Sequence, residues 1–99
     1  MYFEWDEAKA EANVRKHAVG FELARLVFND PNSISRADDR RDYGEERWNT
    51  IGMPLPAGSV LLHVTHTVEE DENGEEIIRI ISARKATPSE RGHYGRIDS

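Results

Sequence analysis

Two adjacent cations, Arg84 and Lys85, close an apolar run that ends at Ala83, and they belong to a wider scatter of groups able to handle charge and protons. Lys9, Lys16 and His17 lie near the start, Glu46 and Arg47 in the middle, Arg79 and Glu90 near the end. No Gly-rich phosphate loop, Ser-His-Asp ordering or helical His-Glu pair occurs, so nucleotide hydrolysis, acyl transfer and zinc hydrolysis have no sequence support. What remains is a scatter of Arg, Lys, His and Glu, and groups of these types can cleave RNA without a metal. A 2′-OH attacks the neighbouring phosphorus, a base takes its proton, an acid protonates the leaving 5′-oxygen, and cations stabilise the crowded negative charge.

Each of these residues also has a plainer role. Exposed arginines are normal on any surface. His17 ends a helix, where a cation suits the dipole, and Glu90 sits three residues after Thr87, the spacing of a capping box. Trp5 and Trp48 read as core or partner-contact residues before base-stacking platforms. His63 and His66 invite a metal, but residues three apart on a strand point to opposite faces, so no metal site and no cofactor is expected.

The elements that must position these groups follow from periodicity. Met1 to Trp5 suits a short strand, Asp6 an N-cap, and Glu7 to His17 a helix whose stripe Ala10, Asn13, Val14 and His17 is only weakly apolar. That helix is thinly packed or covers something polar. Phe21 to Phe28 gives the main core helix, ended by Asn29, Asp30 and Pro31. Residues 32–36 suit a brief strand, and Ala37 to Glu46 a charged loop. Strands are expected over Arg47–Gly52, Val60–Val68 and Glu76–Ala83, with Asn73-Gly74 supplying two positive φ values for a tight hairpin. Thr87, Pro88 and Glu90 start a short last helix.

On a regular strand from Glu76, Arg84 shares a face with Ile78 and Ile80, whereas Arg79 and Lys85 share the other. Arg79 and Arg84 therefore meet only if the chain twists or breaks near Ser82. Of the adjacent pair, Arg84 is the better candidate for a substrate contact and Lys85 the surface residue.

Ninety-nine residues suit a single domain, 1–99, and 37% apolar against 32% charged residues is lean but globular. The absence of cysteine excludes disulfides and thiolate metal sites, and cytoplasm is the default compartment. No apolar stretch approaches membrane length. A net charge of -6 argues against a nucleic-acid partner until its distribution is read, because six acids fall in 69–76 and the other 91 residues balance. From Arg79 to Ser99 five bases face two acids.

Taken together, "FEWDEAKAEANVRKHAVGFELARLVFNDP", "ERWNTIG" and "IRIISARKATPSERGHY" resemble the BrnT family of toxins from type II toxin–antitoxin systems. The pattern Trp5, Asp6, Lys9, Asn13, Lys16, His17 is the most specific part. The resemblance implies an α+β, RelE-like fold with a small antiparallel sheet packed against two N-terminal helices and a short C-terminal helix. It implies RNA cleavage that inhibits translation and growth, and neutralisation by a BrnA-like antitoxin whose ribbon-helix-helix part binds operator DNA. It points to His17, Glu46, Arg47, Arg79 and Arg84 as catalytic candidates, with Lys9 and Lys16 on the substrate. Two residues depart from the family pattern: Ala18 stands where glycine is usual, at about 1 kcal/mol if a left-handed conformation is kept, and Gly20 stands where Ser or Thr caps the next helix. A non-catalytic toxin relative acting as an antitoxin-binding co-repressor is the alternative, and an RNA binder without chemistry is a third.

Overall fold

The computed structural model describes residues 1–38 and 44–95. The chain runs β1 (Tyr2–Glu4), α1 (Glu7–His17), α2 (Phe21–Ala24), a 3-10 segment (Arg25–Asn29), β2 (Ile34–Asp38), β3 (Arg47–Gly52), β4 (Leu62–Glu70), β5 (Glu76–Lys85) and α3 (Pro88–Gly95). One five-stranded sheet has the order β1-β5-β4-β3-β2. The expected antiparallel sheet is in fact mixed, because β1 pairs parallel with β5 while every other pair is antiparallel.

α1 occupies the expected span. Asp6 caps it, accepting the Lys9 N–H at 3.0 Å. Ala18 does adopt the left-handed conformation, φ 58° and ψ 31°, so the strain expected for a non-glycine residue is present. The short strand expected before α1 is present as β1, but the second of the two N-terminal helices needs correction: it is one α turn that tightens into 3-10, which still buries Phe21, Ala24 and Val27. Its Gly20 cap has no side-chain hydrogen bond, as the missing hydroxyl requires.

These helical residues pack with Val19 on Leu62, Val64, Ile78, Ile80 and Ala83. At Gly52 any Cβ would stand 3.1 Å from Val27, so glycine lets β3 slide close under the helical segment. α1 contributes a different kind of contact. β1 ends at Glu4, opposite Arg79, leaving the outer edge of β5 without a strand neighbour at Ala83. Asn13, buried on α1, fills that place: Nδ2 donates to the Ala83 and Val19 carbonyls, each at 2.8 Å, and Oδ1 accepts the Ala83 N–H at 3.1 Å. The weak apolar stripe is thus explained, because the helix covers a sheet edge and satisfies it with an amide.

The β4–β5 tip also differs from expectation. Gly74 has positive φ but Asn73 does not. Gly74 N–H reaches the Asp71 carbonyl at 3.1 Å, while the Asp71 carboxylate accepts the N–H groups of Asn73 and Glu75. An Asx-stabilised turn with one left-handed glycine replaces the two-residue turn. β2 extends through Asp38 into the stretch expected as loop, of which 39–43 lie outside the described residues. α3 begins with the anticipated reciprocal cap: Glu90 N–H to Thr87 Oγ1 at 3.2 Å and Thr87 N–H to Glu90 Oε1 at 2.9 Å. No helix among the described residues is long and apolar enough to cross a membrane.

Candidate functional site

Whether Arg79 and Arg84 can act together depends on one residue. β5 pairs Ser82 with Thr65 and Ile80 with His66, which leaves Ile81 unmatched as a bulge. The core positions accordingly run Ile78, Ile80, then Ala83, a step of two followed by a step of three. On the sheet face away from α1 and α2 the complementary set is Arg79 beside Thr67, Ser82 beside Thr65 and Arg84 beside His63. The break that a shared arginine face requires near Ser82 is present.

β3 extends this face. Asn49 pairs with Thr65 and Ile51 with His63, and by alternation Arg47 belongs with them. β2 adds Arg36 opposite Asn49 and Asp38 opposite Arg47. Thr67 and His63, the partners of Arg79 and Arg84, are four residues apart on β4, roughly 13 Å. The face therefore carries two cationic stations with a polar row between them, in which Thr65 Oγ1 donates to Asn49 Oδ1 at 2.7 Å.

The first station is Arg79, Arg47 and Glu45. Arg79 Nη2 donates to both Glu45 oxygens at 2.7 and 2.8 Å, and Arg47 Nε reaches Oε2 at 3.3 Å. The hydrogen bonds from Arg79, with Arg47 adding, hold the Glu45 carboxyl below its ordinary range. The second station is Arg84, Glu90 and His63. Arg84 makes a fork on Glu90, Nη1 to Oε1 at 2.8 Å and Nη2 to Oε2 at 2.9 Å. His63 Nε2 lies 3.6 Å from Glu90 Oε2. The Arg84 fork, aided by the Thr87 N–H and the nearby His63, lowers the Glu90 carboxyl to about 2.

The other candidates are distributed around this face. Lys9, Lys16 and His17 gather on α1 around a shallow hollow of about 220 Å³ at the outer edge of β5, beside Ile81 and Ser82. Glu46 lies on the opposite sheet face from Arg47, in a hollow with Trp48 and Phe28. Sequence reasoning missed Glu45, one residue earlier, which takes the place beside the arginines. It also missed His63 as a neighbour of Arg84. The alternation of β4, which sends His63 to the arginine face, was the signal that could have found it.

His63 and His66 do point to opposite sides. His66 is buried with its ring edge-on to Phe28, centroids 4.8 Å apart. Burial lowers its pKa to about 4, against a weak opposing hydrogen bond to the Thr67 carbonyl, so the ring is neutral at pH 7. Nδ1–H then donates to that carbonyl and Nε2 accepts from Thr50 Oγ1 at 2.7 Å, which leaves Ser35 Oγ to donate to Thr50 at 2.7 Å.

The class defined by these features is an α+β protein whose mixed sheet carries α1 and α2 on one face and, on the other, a bulge-aligned set of arginines with α3 beside Arg84 and His63. The model of one family matches residues 5–90, that of the ribonuclease toxin, BrnT, of type II toxin–antitoxin systems, and the chain belongs to this family. No individual curated protein matches it.

Proposed function

We propose that the chain is a cytoplasmic, RelE-like endoribonuclease toxin that needs no metal or other cofactor, inhibits translation and growth, and is held inactive by a BrnA-like ribbon-helix-helix antitoxin tying it to operator DNA. The observation that supports this reading most is the bulge at Ile81, which brings Arg84 to the face that Arg79 and Arg47 share. Guanidinium forks match phosphate oxygens, and two stations roughly 13 Å apart suit two phosphates of one strand that are separated by an intervening phosphate. Arg79 and Arg47 stabilise the charge that builds on the scissile phosphate. His17 moves the proton from the α1 edge beside Ser82, while Arg84 with His63 holds the second phosphate station and Lys9 and Lys16 hold the flanking strand. Glu46 has no path to that phosphate from the opposite face, whereas ionised Glu45 orients Arg79 and Arg47 and yields them to the substrate.

One observation favours a second reading. Both key arginines already hold carboxylates, Arg79 with Glu45 and Arg84 with Glu90, so the face is satisfied without phosphate. A protein of this kind could serve as a non-catalytic co-repressor that binds the antitoxin. Purified protein incubated with RNA in EDTA separates the two: cut RNA supports the nuclease, and intact RNA with or without Mg²⁺ supports the co-repressor.

A further inference from the structure

The sheet face that carries α1 and α2 is not covered throughout. Beyond the 3-10 segment, at the end of the sheet where β4 turns into β5, a hollow of about 460 Å³ crosses the strands. That volume falls in the range of about 300–1,000 Å³ that ligand pockets have. Phe28, Trp48 and Val68 wall it, and His66 and Ile78 lie beneath. Its floor is internally satisfied: neutral His66 is joined to Thr50 and Ser35 by hydrogen bonds, so it makes no demand for a charged ligand. Val68, 38% exposed, and Met1, 54% exposed, leave apolar surface facing water here.

The rim is acidic. Glu46 and Glu76 line the hollow, and the hairpin from Glu69 to Glu76 at the same end holds six acids and no base. This charge repels a polyanion, so RNA is not the occupant. A second copy is equally disfavoured, because a two-fold contact through this end would set one acidic hairpin against another. The chemistry left is an apolar side chain carried between cations.

We infer that this groove docks a basic, amphipathic segment of a protein partner, its apolar side chains seated among Phe28, Trp48 and Val68 and its Lys or Arg side chains paired with Glu46, Glu76 and the hairpin. The toxin reading is needed only to name that partner as the antitoxin. Docking here lies on the opposite side of the sheet from the arginines. Partner binding and phosphate binding thus use surfaces of opposite charge.

A synthetic 14-residue Lys/Leu peptide with all leucines on one helical face is the probe, titrated into a Trp5→Phe protein so that the fluorescence reports Trp48. Glu/Leu and Lys/Ser versions of the peptide are the controls. The Lys/Leu peptide should bind and shift the Trp48 emission, and the controls should not. Val68→Asp should weaken binding about tenfold or more, from the loss of an apolar contact. Glu46→Lys with Glu76→Lys should weaken it about fivefold or more, whereas Arg79→Ala with Arg84→Ala should leave it unchanged. Absence of binding, equal binding of the Glu/Leu peptide, or binding indifferent to Val68→Asp in a protein with native circular dichroism overturns the inference. An inability to cut RNA would overturn the toxin reading and leave these results as they stand.

Discussion

Asn13 is the residue whose loss should cost the fold most for its size. It satisfies two carbonyls and one N–H inside the protein, and Asn13→Ala leaves buried backbone groups of Ala83 and Val19 without partners. A loss of about 2–4 kcal/mol in urea denaturation is expected, with a loss below 0.5 kcal/mol contradicting the edge-cap role. Ala18 is the opposite case. Its φ of 58° makes Ala18→Gly stabilising by about 1 kcal/mol, read as a rise in Tm. Both residues carry signals in the sequence, an amide on a weak apolar stripe and an alanine where a helix stops, but only the structure shows that the amide faces a strand edge. Glu45 illustrates the limit of local reading. Its role depends on contact with Arg79, 34 residues away, and no spacing rule links the two.

At the level of elements, β4 and α3 set the pH behaviour and β5 the register. The folded pKa of His66, about 4, lies below its ordinary 6.5, so the unfolded chain binds a proton first and stability falls as pH drops from about 6.5 through 4. Glu90, lowered to about 2 from 4.5, contributes stability that is complete above 4.5 and lost as pH falls toward 2. Acid unfolding should therefore show an early limb that flattens in His66→Gln and a late limb that flattens in Glu90→Gln, followed by chemical denaturation at successive pH values. Glu90→Gln should also cost about 1–3 kcal/mol at pH 7, because a charge-assisted fork is lost. Deleting Ile81 closes the bulge and leaves Ile78, Ile80 and Ala83 on the core face and Arg79, Ser82 and Arg84 on the other, because each keeps its β4 partner. The deletion variant is expected to fold with native circular dichroism, and an unfolded variant would contradict the register. The strand itself was legible from its β-branched residues. The bulge was not, since isoleucines fall on both faces of the run Ile77 to Ala83 and alternation alone cannot place an extra residue in it.

Across the whole molecule, charge is partitioned by sheet face and sheet end. The acidic hairpin fixes the net charge of -6, while the face away from α1 and α2 gathers Arg36, Arg47, Arg79 and Arg84. A total charge misleads about partners when one hairpin dominates it. The α+β class, the span of α1 and the last capping box could be read from local pattern, because capping and amphipathicity are short-range properties. The parallel pairing of β1 with β5 could not, since it joins the two ends of the chain through three residues. The central claim is that the arginine face cleaves RNA. The direct measurement is cleavage of a labelled RNA in EDTA by the wild-type protein and by a folded Arg79→Ala, Arg84→Ala variant. Wild type is expected to produce fragments, and the variant to be slower by at least about 10²-fold, the scale of losing one charge-stabilising donor; equal cleavage by both proteins would contradict the assignment of that face.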